Sequence, residues 1–293
     1  MDPDPSPSLR SETARTTVKV AGFLVVLKTL TWLWTDSSGV LGSALDSLLD
    51  VAASLLVLWA LIVAEKPADA DHPWGHGKAE GLAALFQSLL ILGAGGGLLL
   101  ESWDRFRDPE ARLELPGLGV ATMAVSTGVT IWWVRRLRRV ARETGSPALA
   151  ADSAHYASDV LMHLSVAAGL VLSALLGGKR WPDFVVGAGI GFLIISTGVQ
   201  VLRQAFHVLM DRGLEPEEDR RILCTLLAFE EQGVRGFHGL RARRSGAELF
   251  LELHLDMDRD LSFVAAHRVA ERAADALEEA LPRSRVTIHA DPL

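Results

Sequence analysis

Six apolar stretches precede Asp211, and none follows it. A helix needs about 20 mainly apolar residues to cross the hydrocarbon core of a bilayer, and each stretch approaches or exceeds that length. The pattern therefore predicts an all-α domain of six transmembrane helices. We place the spans at residues 16–34, 39–64, 79–102, 116–134, 147–176 and 183–206.

The segment after Asp211 alternates between helical and strand patterns. An acidic turn follows Pro216 and predicts a helix to about residue 232, followed by a strand over 234–243. Residues 248–256 place four leucines on one face and polar side chains on the other, which is typical of a half-buried strand. A helix over 262–281 and a last strand over 285–290 complete an αββαβ order, which predicts a small α+β domain with two helices on one face of a sheet.

These patterns divide the chain into three parts. Residues 1–15 are rich in proline, serine and charged residues and are predicted to form a disordered tail. Residues 16–208 form the predicted transmembrane domain, and residues 209–293 the α+β domain.

Basic residues are unevenly distributed among the loops. Lys66 and Lys78 flank the second loop, the fourth span ends in an arginine cluster at 135–142, and Arg212 follows the last span. The alternate loops carry no such excess, so the positive-inside rule predicts that both termini face the cytoplasm.

The bulk composition excludes some classes of protein. A net charge of −7 argues against a nucleic-acid-binding protein, which usually carries a basic face. Cys224 is the only cysteine of the 293 residues, so neither an internal disulfide nor a Cys-rich zinc site can form.

Charged residues within apolar spans are the strongest functional signal. Asp46 and Asp50 lie in the second span, and His155 and Asp159 in the fifth. The i, i+4 spacing places each pair on one helix face, about 6 Å apart. Facing helices would then offer three carboxylates and one imidazole, which suits zinc but also admits iron, cadmium or manganese. On the fifth span, relay and packing roles remain open for Asp152 and His163.

Two further clusters lie outside the spans. Asp69, His72 and His76 are close together in the second loop, and either a metal site or a hydrogen-bonded loop explains them. The α+β domain is rich in histidine, and His289 shares a strand face with Asp291. The residues of interest there are His238, His254, His267, His289 and Asp291.

The combined motifs resemble those of the cation diffusion facilitator family, in particular its bacterial zinc/iron-type exporters. The resemblance rests on the Asp-x-x-x-Asp and His-x-x-x-Asp pairs of the spans and on the loop sequence HPWGHGKAE at 72–80. It covers nearly the whole chain and implies a homodimer in the bacterial inner membrane that exchanges metal for protons by alternating access, with a metallochaperone-like cytoplasmic domain.

The resemblance also implies ligand sets beyond the transport site. It assigns a loop site to Asp69, His72 and His76. In the cytoplasmic domain it assigns a pair of structural or regulatory zinc ions near the dimer interface to His238, His254, His289 and Asp291, with His267 as a bridging member.

Three other functions compete with transport. A metal-dependent intramembrane hydrolase would need an open coordination position and a general acid or base, and no span contains an HExxH motif or a Ser/Lys pair. A membrane-anchored metal sensor would not explain why carboxylates lie within the membrane spans. A channel would need a selectivity filter, and nothing in the sequence resembles one. We therefore expect a transporter and not an enzyme.

Overall fold

The structure is a computed structural model that describes residues 6–107, 117–177, 179 and 181–293. It divides into two compact units, Met1–Phe206 and His207–Leu293, each of which is considered by itself below.

Six long helices, each apolar enough to span a membrane, account for the first unit and confirm the predicted number. Many large apolar side chains on their outer surface are exposed, as suits contact with lipid. The helices are α1 (Ser6–Thr35), α2 (Ser38–Ala64), α3 (Lys78–Arg107), α4 (Gly117–Thr144), α5 (Pro147–Leu175) and α6 (Trp181–Leu209).

Helix α1 begins earlier than predicted. The structure differs from the expected disordered tail because residues 6–15 are helical, while residues 1–5 lie outside the described residues. Ala14 is fully buried, and the guanidinium of Arg10 pairs with Glu80 of α3 at 2.8 Å. These contacts hold the amino-terminal turns of α1 against the bundle, although the local composition is polar.

Helix α4 continues ten residues beyond the predicted span, to Thr144. Its continuation is amphipathic, because Leu137, Val140 and Ala141 are buried while the arginines between them are exposed. The predicted start of this span at residue 116 lies outside the described residues.

Small residues allow α3 and α6 to pack closely. A Cβ atom on Gly95 would lie 2.8 Å from Cγ1 of Ile195, and one on Gly191 would lie 2.8 Å from Cδ2 of Leu99. Neither position can carry a larger side chain without displacing its neighbour, which is the small-residue packing that membrane helices use in place of the hydrophobic effect.

The second unit has the predicted αββαβ order. Its elements are α7 (Pro216–Leu227), β1 (Val234–Ser245), β2 (Glu248–Met257), α8 (Phe263–Ala280) and β3 (Ser284–Pro292). Helix α7 ends five residues before the predicted limit, and a separate 3₁₀ turn covers Glu230–Gln232. In the sheet, β2 is central, antiparallel to β1 and parallel to β3.

The alternation of β2 separates a core from a polar face. The leucines at 249, 251, 253 and 255 are buried against Val269, Ala273 and Leu277 of α8. The opposite face carries a row of histidines, since His254 is in register with His238 of β1 and with His289 of β3. The sheet thereby brings together residues separated by as much as 51 positions in the sequence.

Candidate metal sites

Helices α2 and α5 bring three of the four predicted intramembrane ligands together. One ligand atom each of Asp50, His155 and Asp159 lies within 4.8 Å of the other two. His155 is buried, and its Nε2 lies 3.2 Å from Oδ1 of Asp50. Two carboxylates and an imidazole thus converge in the interior of the bundle.

Two polar atoms of this cluster have no hydrogen-bond partner among the described residues. They are Nδ1 of His155 and Oδ2 of Asp159, and both are buried. Leaving buried polar atoms unpaired costs free energy, and such groups in native structures call for a functional explanation. Donors of this type suit a divalent transition metal.

Asp46, the fourth predicted ligand, lies outside this group. It is one helical turn from Asp50 on α2 and is exposed. The structure therefore assembles a three-ligand set, not the four-ligand set expected from the spacing. Helical spacing places two residues on one face, but it does not determine how that face is rotated toward the neighbouring helix.

Two other polar residues of α5 have partners on neighbouring helices. Asp152 is fully buried and accepts a hydrogen bond of 3.0 Å from Nε2 of Gln87 on α3. Nδ1 of His163 lies 3.1 Å from Oγ1 of Thr127 on α4. Neither belongs to the three-ligand group among the described residues.

Sequence reasoning missed Lys28, a buried lysine in α1. Its Nζ donates hydrogen bonds to Oγ of Ser47 at 2.8 Å and to the carbonyl oxygen of Ser43 at 3.3 Å, both on α2. Its charge interacts with Asp46, Asp50 and Asp159. A lysine within an apolar span was the available signal, since such residues are costly in lipid and usually functional.

The loop between α2 and α3 gathers Asp69, His72 and His76 as predicted. The carboxylate of Asp69 accepts a 2.6 Å hydrogen bond from the backbone N–H of His72, and its other oxygen lies 3.3 Å from Nε2 of His76. The backbone hydrogen bond, together with the two histidines, lowers the pKa of Asp69. An ionised carboxylate beside two imidazoles is a three-ligand set, although a hydrogen-bonded loop uses the same contacts.

The histidine row of the sheet forms a third cluster. Ligand atoms of His238, His254 and Asp291 lie within 4.8 Å of one another. Nδ1 of His254 is 2.9 Å from Oδ2 of Asp291, while Nδ1 of His289 hydrogen-bonds the other oxygen of that carboxylate. The hydrogen bond from His254, and then that from His289, lower the pKa of Asp291.

A cavity of about 240 Å³ adjoins this cluster, and His254 and His289 line it. Asp256, which sequence reasoning did not single out, holds the ring of His238 through a 3.0 Å contact with Nδ1. His267 lies apart on α8, where its Nε2 is 3.3 Å from Oε1 of Glu271. A single chain therefore unites four of the five predicted residues.

Family models match both units. The model described as the cation efflux transmembrane domain matches residues 16–210, and the model described as the cation efflux protein cytoplasmic domain matches residues 214–293. The chain belongs to the cation efflux family. The resemblance to cation diffusion facilitators is confirmed, and the protein is a multi-pass membrane transporter of metal cations, not an enzyme.

Two bacterial cation-efflux pumps are similar to this chain over most of its length. The cation-efflux pump FieF of Cronobacter sakazakii is 37% identical over 284 residues, covering 97% of this chain and 93% of the relative. FieF of Serratia proteamaculans is 38% identical over 273 residues, covering 93% of this chain and 89% of the relative. A solved structure of the transporter CzrB in a zinc form is 38% identical, with a TM-score of 0.26, and covers 28% of this chain and 92% of its own.

Proposed function

We propose that this protein exports zinc from the bacterial cytoplasm in exchange for protons, as a homodimer in the inner membrane with both termini cytoplasmic. The observation that carries the proposal is the convergence of Asp50, His155 and Asp159 within the bundle. Charged groups in membrane helices are costly, and a cation pathway explains why they are there.

Zinc is the metal that the donor set favours. An imidazole with carboxylates suits tetrahedral zinc, and Asp46 supplies the fourth ligand after a shift of α2 relative to α5. The same donors accept ferrous iron, cadmium and manganese, so selection depends on the geometry of the closed site.

Proton exchange follows from the chemistry of the ligands. Metal binding requires deprotonated carboxylates and an unprotonated imidazole nitrogen, so metal and protons compete for Asp50, His155 and Asp159. When the site opens to a proton-richer compartment, protonation displaces the metal. Reopening toward the cytoplasm releases the protons and restores the empty ligands, which completes an exchange cycle.

The two outer clusters serve the cytoplasmic side of this cycle. Asp69, His72 and His76 form an exposed loop site for incoming metal. His238, His254, His289 and Asp291 hold zinc in the cytoplasmic domain as a structural or regulatory ion, and His267 joins them as a bridging ligand in the homodimer. The family match to the cytoplasmic domain over residues 214–293 supports this assignment.

Paired flux measurements test the exchange. The purified protein is reconstituted into liposomes with a pH-sensitive dye inside, and zinc, iron, cadmium and manganese are supplied separately. We expect zinc entry to be accompanied by proton exit and to slow when a protonophore and a potassium ionophore collapse the pH gradient, because only the zinc gradient then drives exchange. Zinc flux without proton movement would contradict exchange, and absence of flux with retained zinc binding would favour an anchored sensor.

A further inference from the structure

The cytoplasmic end of α4 carries an unusual concentration of positive charge. Five arginines lie between positions 135 and 142, and four of them, together with Glu143 of the same helix, line an open surface cavity of about 480 Å³. The four are Arg135, Arg138, Arg139 and Arg142.

The helix itself forces these arginines together. Its opposite side is anchored by buried Leu137, Val140 and Ala141, so the arginine face cannot rotate away. The pairs 135/139 and 138/142 have i, i+4 spacing, at which like charges destabilise a helix. No ion pair joins any of the four to a carboxylate in the part of the chain that the structure describes. Positive charge is thus concentrated here, since four arginines share the cavity with a single carboxylate, that of Glu143.

The pattern of exposed residues along α4 indicates where these arginines lie relative to the membrane. Leu118, Val125, Trp132 and Arg139 follow at intervals of seven residues, so they form one stripe along α4 with steps of about 10 Å. The first three are 51%, 52% and 59% exposed, so the stripe offers apolar surface for contact with lipid. Tryptophan is typical of the membrane interface, so the arginines that begin three residues after Trp132 lie on its headgroup side, with Arg139 about 10 Å further out than Trp132.

We propose that Arg135, Arg138, Arg139 and Arg142 bind the phosphate of an anionic phospholipid. Guanidinium groups bind phosphate oxygens through paired hydrogen bonds, and basic pockets at this depth suit acidic headgroups. The acyl chains of the lipid lie along the exposed stripe from Trp132 to Leu118. A soluble anion would contact only the arginines. A phospholipid would contact both the arginines and the adjoining apolar stripe.

This site is distinct from the metal sites and does not depend on metal export. Its expected effect is on stability, because a bound phosphate relieves the repulsion among the four arginines. Helix α4 is joined through only Gly145 and Ser146 to α5, which carries His155 and Asp159. The lipid therefore stabilises the segment that precedes two of the three residues of the intramembrane cluster.

Native mass spectrometry of the full-length protein tests the proposal. Phosphatidylglycerol is titrated into micelles that contain phosphatidylcholine, and bound lipids are counted while the melting temperature is followed in parallel. We expect Arg139→Gln to weaken phosphatidylglycerol binding about fivefold, since one arginine near an anionic surface contributes roughly that factor. The matched control is Arg136→Gln, which removes the same charge from an arginine of α4 that does not line the cavity.

The outcomes distinguish a specific lipid-binding site from nonspecific attraction of anions to a positively charged surface. Selective phosphatidylglycerol binding that Arg139→Gln weakens and Arg136→Gln preserves supports the proposal. Equal effects of the two variants, or equal binding of phosphatidylglycerol and phosphatidylcholine, would overturn it. Equal stabilisation by inorganic phosphate at millimolar concentration would also overturn it, because a soluble anion would then suffice. Arg139→Lys keeps the charge and is expected to retain partial binding. It provides a second test in case Arg139→Gln does not fold.

Discussion

Lys28 of α1 is joined to Ser47 of α2 by a buried 2.8 Å hydrogen bond from Nζ to Oγ. Ser47 immediately follows Asp46, and the charge of Lys28 also acts on Asp50 and Asp159. A second hydrogen bond from Nζ to the carbonyl oxygen of Ser43 fixes the ammonium group against α2. The proposed transport site therefore adjoins a tethered lysine, and we expect the positive charge of this lysine to oppose metal binding.

Replacing Lys28 should make metal binding tighter and release slower. Lys28→Met removes a positive charge near the carboxylates, so we expect the KM for zinc to fall about tenfold and the turnover number to fall with it. Lys28→Arg keeps the charge and is the matched control. Flux measurements in proteoliposomes over a range of zinc concentrations provide both constants. An unchanged or higher KM in Lys28→Met would show that the lysine has only a packing role.

The Arg10–Glu80 pair should stabilise the first unit. Glu80 is fully buried, pairs with Arg10 at 2.8 Å and also accepts a hydrogen bond from Ser146. Removing one partner of a buried ion pair costs about 3–5 kcal/mol because the other charge is left unpaired. We expect Glu80→Gln to lower the melting temperature clearly in detergent.

Glu101→Gln is the comparison variant for this pair. Glu101 is mostly exposed and pairs with Arg105 on the same helix, and such pairs contribute about 1 kcal/mol at most. If the two variants melt at the same temperature, the buried pair does not hold α1 in place.

His254 should be required for zinc in the cytoplasmic domain. His254→Ala removes the proposed ligand at the centre of the histidine row, so we expect the full-length protein to lose at least one bound zinc ion. His207→Ala, at the end of α6, removes a histidine outside the row and should retain the zinc content of the unaltered protein. Metal analysis after dialysis against a weak chelator measures the content. Loss of the same zinc ion in His267→Ala would support the bridging role of that residue.

Acidification should weaken the sheet through Asp291. Its pKa is lowered by the hydrogen bonds from His254 and His289, so its contribution to stability is present above the ordinary aspartate pKa of about 3.9 and is lost as the pH falls through the lowered value. Asp291→Asn removes this dependence. Hydrogen exchange of β2 amides between pH 6 and pH 3 should therefore change less in Asp291→Asn than in the unaltered protein.

Asp275→Asn, an exposed substitution on α8, is the control for this experiment. It should show the acid dependence of the unaltered protein. If Asp291→Asn shows the same dependence as this control, the hydrogen bonds of Asp291 do not contribute to stability in acid.

Much of the architecture was predictable because it depends on local periodicity. The six apolar runs and the leucine alternation of β2 each determine an element without reference to the rest of the chain. Asp50, His155 and Asp159 could also be predicted as site residues from the sequence, because ionisable residues are rare within apolar spans. The histidine row was predicted in part, because His289 and Asp291 lie on one strand.

What sequence reasoning missed depends on contacts between distant segments. Arg10 orders the start of α1 only because Glu80, seventy positions away, is buried beside it. Asp46 lies outside the ligand group and is exposed, and spacing along one helix does not determine which side chains face a neighbouring helix. Lys28 was visible as a lysine in an apolar span, but its partners on α2 were not.

The central claim is that Asp50, His155 and Asp159 form the path of the metal. Zinc flux into proteoliposomes should be abolished in both Asp50→Asn and Asp159→Asn, with reconstitution checked by protein content. Asp36→Asn is the matched control, because it removes an exposed carboxylate at a left-handed position that asparagine tolerates. Its flux should equal that of the unaltered protein. Undiminished flux in Asp50→Asn and Asp159→Asn would contradict the claim and place the metal path elsewhere in the bundle.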